Sequence, residues 1–153
     1  MRYLIDTGIL LRLIDKQDPR HVIVHTAFET LGNRNDDLYI TSQNIAELWN
    51  VATRPIANNG LNLTPAAITQ AFQQAIEPFC TIVTEQNTLP NEFRRLLLQY
   101  SVVGKQVHDA RIVAMMLVWQ IENMLTLNDR DFRRYEPEGI NIVTPDSIVT
   151  RGS

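Results

Sequence analysis

The sequence predicts an α/β protein with a central parallel sheet of about five strands. Short apolar runs alternate along the chain with longer segments whose apolar residues recur at helical spacing. Strands that alternate with helices form parallel sheets covered on both faces, with right-handed crossovers. The chain has 153 residues, which is the size of one domain, and it contains no internal repeat or linker.

Five apolar runs are predicted to be strands. The first run ends at Asp6-Thr7-Gly8, and the last ends before Pro145. The third run combines apolar and β-branched residues, which is typical of strands. The five predicted strands cover residues 3–5, 38–41, 80–83, 124–127 and 140–143.

Helical spacing predicts five helices between these strands. The first stops at Asp18-Pro19 and the second at Arg54-Pro55. A third begins at Thr64-Pro65, because Thr is a good N-cap and Pro suits a first turn. The apolar residues of the last helix cover nearly every angle of its wheel, so we expect it to be central and buried. The predicted helices cover residues 9–14, 45–52, 65–76, 92–100 and 108–121.

Composition excludes several classes of protein. Hydrophobic residues make up 44% of the chain and charged residues 20%, which excludes disordered and low-complexity proteins. The formal charge is −3, which argues against a highly basic nucleic-acid coat protein. A nucleic-acid enzyme is still compatible with this charge, because its site can itself be built from carboxylates.

The cysteine count and the N-terminus bear on location. Cys80 is the only cysteine, so neither an intramolecular disulfide nor a zinc site with two cysteines can form. No apolar run approaches the roughly 20 residues that cross a bilayer, and Asp6 interrupts what would be a signal-peptide core. We therefore expect a cytoplasmic protein with no membrane partner. Residues 1–150 are expected to form the domain, with residues 151–153 as a short polar tail.

Carboxylates follow two of the predicted strands. Asp6 comes after the first strand, and Asp129 and Asp131 come after the fourth, with Arg130 between them available for a phosphate. In parallel sheets, ligands bind beyond the carboxyl ends of strands, near the point where strand order reverses. Structural roles explain these acids equally well, since Asp6 suits a helix N-cap and Asp is common in turns.

Two further acids lie on predicted helices. Glu47 shares a polar face with Gln43 and Asn50, and this face is either a solvated surface or the wall of a cleft. Asp109 begins the largely apolar last helix, where the helix dipole favours an acid. A carboxylate that leads a buried helix is partly desolvated and needs a cation or hydrogen-bond donors to stay ionised. A metal ion would meet that need.

Together, the separated acids indicate a site for a hard divalent cation. Mg²⁺ and Mn²⁺ take oxygen ligands, often one or two carboxylates with water and substrate phosphate completing the shell. Such ions support phosphodiester hydrolysis, either singly or in pairs. Without the four acids of the candidate site, the formal charge changes from −3 to +1. The candidate catalytic and metal-binding residues are Asp6, Glu47, Asp109 and Asp131.

The order of these motifs resembles that of the PIN-domain nucleases over essentially the whole chain. Within that family the chain is most similar to small single-domain toxins of the VapC type. The motifs that carry the resemblance are Asp6-Thr7 after a strand, Glu47 in the second helix, Asp109-Ala110 opening a late helix, and Thr126-Leu127-Asn128 through Asp131-Phe132.

The resemblance implies a three-layer α/β/α fold and an endoribonuclease that depends on Mg²⁺ or Mn²⁺. It also implies a cognate antitoxin as a partner and, usually, a homodimer. By position, Asp6, Glu47 and Asp109 take the most dependable acidic places, and Asp131 takes the fourth, with Asp129 as the alternative. The residues expected to support these acids or to contact substrate are Thr7, Asn128, Asp129 and Arg130.

Basic and aromatic side chains near the acids are candidates for RNA contacts. Each basic residue is either a phosphate contact or an ordinary surface or carboxylate partner. Spacing places Trp49 and Trp119 on the apolar sides of helices, so we expect both in the core, and Tyr39 is the other aromatic candidate. The basic candidates are Arg111, Arg130, Arg133, Arg134 and, more weakly, Lys105.

Two other functions remain open at this point. One is a catalytically inactive PIN-like interaction module, although acids occupy all four places. The other is an α/β phosphatase that uses an aspartate nucleophile after the first strand. That chemistry typically wants a second Asp two residues later, where this chain has Gly8.

Overall fold

A five-stranded parallel sheet forms the centre of the computed structural model, which describes residues 1–152. The strands are β1 (Arg2–Ile5), β2 (Asp37–Thr41), β3 (Thr81–Val83), β4 (Asn123–Leu125) and β5 (Asn141–Val143). Their order in the sheet is β3-β2-β1-β4-β5, and every neighbouring pair is parallel. The predicted parallel sheet is therefore confirmed, with strand ends that differ from the predicted ones by one or two residues.

Within residues 1–152, eight helices accompany the sheet. They are α1 (Thr7–Ile14), α2 (His21–Asn33), α3 (Ser42–Thr53), α4 (Pro65–Ala75), α5 (Leu89–Gln99), α6 (Gln106–Trp119), α7 (Asp129–Phe132) and α8 (Pro145–Arg151). Two short 3₁₀ helices lie at Ile56–Asn58 and Arg133–Glu138. Within residues 1–152, none of these helices combines the length and the apolar character needed to span a membrane.

Three of the eight helices are absent from the sequence prediction. In α2, Val24, Ala27, Phe28 and Leu31 are buried at helical spacing, but its N-cap makes no side-chain hydrogen bond, so a start signal is missing. Helix α7 replaces the predicted turn after β4. Helix α8 includes Arg151, so the last helix runs one residue into the expected tail.

The two faces of the sheet bury separate cores. Along β1, Tyr3 and Ile5 pack into one core and Leu4 into the other, because alternate side chains of a strand point to opposite faces. The first core also takes residues of α1 to α4 and α8, and the second takes residues of α5 and α6. This arrangement is the predicted three-layer α/β/α fold. Helix α6 buries six residues, five of them consecutive, so its predicted burial on several sides is confirmed.

The strand order reverses at β1. The chain moves outward from β1 to β2 and β3, and then returns to place β4 on the other side of β1. The register pairs Ile5 with Leu125, and the Asp6 N–H donates to the Leu125 carbonyl at 3.0 Å. Asp6 and Thr126 therefore follow adjacent strand ends. This is the position at which open parallel sheets form their ligand-binding crevice.

Candidate active site

Asp6 lies between β1 and α1 and has the structural role that the sequence suggested. Its Oδ1 accepts from the Thr7 N–H at 2.9 Å, so it is the N-cap of α1. Its Oδ2 accepts from the Thr126 hydroxyl at 2.6 Å. Burial raises the pKa of Asp6, the charge of Glu47 adds to the rise, and the two hydrogen bonds oppose it. A capping carboxylate oxygen retains a free lone pair, so the cap does not prevent cation binding.

Glu47 faces Asp6 from helix α3 and is partly buried. Its Oε2 accepts from the Thr7 hydroxyl at 3.0 Å, and its Oε1 accepts from Gln43 Nε2 at 2.7 Å. The polar face of α3 is thus buried or partly buried at Gln43 and Glu47, whereas Asn50 on the same face is exposed. The hydrogen bonds fix both oxygens of Glu47.

Asp109 occupies the first turn of α6 and is partly buried. Burial is the main cause that raises the pKa of Asp109 to about 6, followed by the negative charges of Asp6, Asp131 and Glu47. Within residues 1–152, no side chain donates a hydrogen bond to the Asp109 carboxylate and no cation pairs with it. The four predicted acids therefore share one electrostatic neighbourhood, in which Asp109 is the least compensated.

The two acids of α7 have different surroundings. Asp131 accepts a hydrogen bond from Asn128 Nδ2 at 2.6 Å, and its negative charge contributes to the raised pKa of Asp109. Asp129 instead pairs with Arg133, whose Nη2 and Nε lie 2.6 and 3.1 Å from Asp129 Oδ2. Hydrogen bonds from Arg133 lower the pKa of Asp129. This difference favours Asp131 as the fourth acid of the candidate site.

The donor set fits a hydrated divalent cation. The four side chains offer only carboxylate oxygens, and none of the four forms an ion pair within the part of the chain that the structure describes. No three acidic, histidine or cysteine side chains of residues 1–152 are close enough to form a ready chelate. Mg²⁺ does not require one, since it keeps several waters and binds through one or two carboxylates plus substrate phosphate.

Three residues that the sequence analysis did not select support the acids. Thr126 is fully buried and donates to Asp6. Asn44 is fully buried, donates from Nδ2 to the Thr7 hydroxyl at 3.1 Å, and forms a capping box with Thr41. Gln43 donates to Glu47. The spacing of Thr41 and Asn44 before an apolar helix was a usable signal for the cap, but the contacts of Gln43 and Thr126 depend on tertiary packing.

Most of the candidate basic residues have partners within the protein. Arg111 donates to Gln43 Oε1 at 2.9 Å and pairs with Glu85, Arg133 pairs with Asp129, and Arg134 donates to Gln106 and to the Tyr100 carbonyl. Arg130 is exposed and has no hydrogen bond or ion pair with residues 1–152. It is therefore the arginine of this group that remains available to a phosphate.

The placement of the tryptophans was predicted only in part. Trp49 is 39% exposed, so the expectation that it lies in the core is wrong. It lies on the rim of an apolar groove between α3 and α4, together with Ile45 and Phe72. Trp119 is partly buried at the end of α6, and its Nε1 donates to the Thr84 carbonyl at 2.8 Å.

A larger cavity lies away from the acids. It has a volume of about 860 Å³ and is lined by residues of α1, α2 and α4, including Phe28 of α2, and by Phe79, which follows α4. Asp37 and Leu38, at the start of β2, also line it, so it opens at the amino ends of the strands. The acids lie at the carboxyl ends, and the two sites are therefore distinct.

Comparison with known proteins gives one family match. A family model described as the PIN domain matches residues 3–137. A search of curated protein sequences finds no match.

Solved structures share the fold at low sequence identity. VapBC2 from Rickettsia felis, bound to a DNA fragment from its promoter, is 17% identical over 94% of this chain and 98% of its own, with a TM-score of 0.65. VapBC-1 from nontypeable Haemophilus influenzae is 17% identical over 95% of this chain and 99% of its own, with a TM-score of 0.60. VapC20 from Mycobacterium tuberculosis is a toxin that cleaves the sarcin-ricin loop. It is 17% identical over 80% of this chain and 86% of its own, with a TM-score of 0.57.

Proposed function

The chain belongs to the PIN domain family, and we propose that it is a metal-dependent endoribonuclease of the VapC toxin type. The observation that carries the proposal is a group of four carboxylates near the ends of β1 and β4 that interact electrostatically and form no ion pair within residues 1–152. Burial and three neighbouring acids raise the pKa of Asp109 to about 6, so a bound cation would relieve a real electrostatic cost. The residues that would hold Mg²⁺ or Mn²⁺ are Asp6, Glu47, Asp109 and Asp131.

The cation would supply Lewis-acid stabilisation of charge on the phosphodiester and would lower the pKa of a nearby water. The protein's own residues orient the ligands. Thr126 and Thr7 hold Asp6, and Thr7 and Gln43 hold Glu47, so both carboxylates keep one rotamer before substrate arrives. Asp109 has no such donor and depends most on the cation.

The proposed substrate contact is a basic residue without a hydrogen-bond or ion-pair partner among residues 1–152. Arg130 is exposed beside Asp131 and is placed to bind an RNA phosphate. Cys80 offers no alternative nucleophile, because burial raises the pKa of its thiol to about 12. Water is therefore the proposed nucleophile, and no covalent intermediate with the protein is needed.

The proposal is tested by cleavage of a structured RNA pool with Mg²⁺ or Mn²⁺. We expect cleavage by the wild type, loss of at least about 100-fold in Asp6→Asn and Asp109→Asn, and no cleavage in excess EDTA. The isosteric Asn keeps side-chain volume, and at position 6 it also keeps a good N-cap. Cleavage that survives both substitutions would contradict the carboxylate mechanism.

Two other outcomes would identify the competing functions. Release of phosphate from small phosphomonoesters, with RNA left intact, would indicate a phosphatase. Inactivity of the folded wild type towards all substrates, together with tight binding of a partner chain, would indicate an interaction module.

Because the chain belongs to the PIN domain family, we also propose that it binds a protein partner. We propose further that it forms a homodimer and that it is cytoplasmic. Two of the similar structures are VapBC proteins, and a cognate antitoxin is the corresponding partner for this chain. An adjacent small open reading frame whose product binds the chain and inhibits RNA cleavage would support this. A homodimer would have twice the 17.5 kDa mass of the chain by light scattering, and a monomer at micromolar concentration would contradict it.

A further inference from the structure

Gln43 joins the two helices that carry Glu47 and Asp109. From α3, its Nε2 donates to Glu47 Oε1 at 2.7 Å and to the His108 carbonyl of α6 at 2.9 Å. Its Oε1 accepts from Arg111 Nη1 of α6 at 2.9 Å. Gln43 is only 9% exposed. One buried amide thus contacts one acid directly and the residue next to another.

The surroundings allow the amide only one orientation. Both acceptors lie on the Nε2 side of Gln43, and the guanidinium of Arg111 lies on the Oε1 side. Reversing the amide would place its oxygen against a carboxylate and a carbonyl, and its NH₂ against a cation, so every contact would be lost. Arg111 is itself held by an ion pair with Glu85, in the segment after β3.

Two hydrogen-bond donors therefore hold the Glu47 carboxylate, one at each of its oxygens. Thr7 donates to Oε2 and Gln43 donates to Oε1. The Thr7 contact links Glu47 to the start of α1, whereas Gln43 links it to the first turns of α6. Asp109 occupies that same part of α6. We call the contacts of Gln43 with Glu47, His108 and Arg111 the Gln43 bridge. This bridge links α3, which carries Glu47, to α6, which carries Asp109.

We propose that Gln43 is a positioning residue that fixes Glu47 relative to Asp109, and that Arg111 acts through Gln43. This role rests on the proposed function, in which both acids hold the cation. Residues that orient metal-binding side chains commonly affect metal affinity or activity by about 10- to 100-fold. A residue that merely fills space in the core would not change either quantity in this way.

The first test measures Mn²⁺ affinity and RNA cleavage in Gln43→Met, which keeps the volume but removes all three hydrogen bonds. We expect Mn²⁺ to bind about 10-fold more weakly and kcat to fall by about 10- to 100-fold, with KM for RNA changed less than roughly 3-fold. Arg111→Met should give a smaller loss of the same kind. The double variant should be no worse than Gln43→Met, because Arg111 acts through that residue.

The matched control is Asn123→Leu. Asn123 is also a buried amide, 1% exposed, and donates from Nδ2 to the Arg2 carbonyl at 3.1 Å. It lies at the start of β4, at the opposite end of the sheet from the acids. We expect this variant to lose stability but to keep the wild-type affinity for Mn²⁺. If Gln43→Met matches this control in Mn²⁺ affinity, the positioning role is wrong.

A second test does not depend on metal or activity. It is a double-mutant cycle in which the Tm values of wild type, Gln43→Met, Glu47→Met and the double variant are measured in EDTA. We expect the two losses in Tm to differ from additivity by about 2–4 °C, because the side chains are in contact. Additive losses would overturn the proposed coupling.

The two tests keep failure of the positioning role separate from failure of the proposed function. A folded wild type that cleaves no RNA would contradict the nuclease proposal, while the Mn²⁺ affinities and the cycle would still decide the role of Gln43. A wild type that cleaves RNA, with a Gln43→Met variant of equal Mn²⁺ affinity and kcat, would leave the nuclease proposal intact and reject the positioning role.

Discussion

The Thr126 hydroxyl donates a hydrogen bond to Asp6 Oδ2 at 2.6 Å and accepts one from the Asn128 N–H at 2.9 Å. The first bond joins the ends of β4 and β1. The second orients the segment that leads into α7, where Asn128 in turn contacts Asp131. A single buried hydroxyl thus connects the first acid of the candidate site to the segment that carries the fourth.

Replacing Thr126 by Val should damage the site while keeping the side-chain shape. The substitution leaves Asp6 with one fewer donor and the Asn128 N–H without its acceptor, so we expect the unfolding free energy to fall by about 1–3 kcal/mol. Mn²⁺ affinity should fall by about 10-fold. Urea unfolding and calorimetric titration measure these two effects. Thr126→Ser keeps the hydroxyl and should retain most of the affinity, and equal behaviour of Val and wild type would refute the role.

The stability of the metal-free protein should depend on pH in a defined direction. The folded-state pKa of Asp109 is raised from 3.8 to about 6, so the folded chain binds more protons than the unfolded chain between these values. The unfolding free energy should therefore fall as pH rises from about 4 to 6 and then level off. Thermal unfolding in EDTA from pH 4 to 8 measures this slope.

Asp109→Asn should weaken that pH dependence and stabilise the metal-free protein at pH 7. We expect a gain of about 1–2 kcal/mol, since one pKa unit corresponds to about 1.4 kcal/mol and solvent screens part of the effect. Some slope should remain, because the pKa of Asp6 is also raised. Asp129→Asn is the control, since the pKa of Asp129 is lowered and its removal should give no such gain.

Divalent cations should stabilise the wild type against heat. A cation present at 100 times its dissociation constant adds about 2.7 kcal/mol to the unfolding free energy. The gain should be larger at pH 7.5 than at pH 5.5, because protons compete for Asp109 in the lower range. Differential scanning calorimetry with and without Mg²⁺ or Mn²⁺ measures the gain. An equal gain in Asp109→Asn would show that the cation binds elsewhere.

The two acids of α7 should differ in their importance for cleavage. Asp131→Asn removes a carboxylate whose charge reaches Asp109, so we expect cleavage to fall by at least about 10-fold. Asp129→Asn removes a carboxylate that is already paired with Arg133, and cleavage should change less than roughly 3-fold. RNA cleavage rates at saturating Mg²⁺ provide the comparison. The reverse order of effects would assign the fourth position to Asp129.

The elements that carry strong local signals were predictable from the sequence. Asp6 follows a short apolar run bounded by a turn signal, which predicts a strand, and Thr64-Pro65 combines an N-cap with a first-turn proline. The same Thr-Pro pattern at Thr144-Pro145 begins α8, and it is the signal that could have identified this helix. Helix α2 had the right apolar spacing but lacked a cap, so local physics alone left its start undefined.

Other parts of the site could not be read from the sequence, because they depend on contacts between distant segments. The exposure of Trp49 depends on how closely α4 packs on α3. The Gln43 bridge requires α6 to lie beside α3, 65 residues away in the chain. The choice between Asp129 and Asp131 is a local exception: Arg133 lies four residues after Asp129, a spacing that pairs side chains on a helix, but the sequence predicted a turn where α7 forms.

The position of β4 beside β1 has a consequence for synthesis of the chain. A growing chain leaves the ribosome from its N-terminus, so Asp6 is made long before Thr126 and Asp131. Until β4 and α7 have emerged, the sheet lacks one neighbour of β1 and the acids cannot assemble. In a chain with the proposed activity, the site therefore cannot form until the segment that ends with Asp131 has left the ribosome.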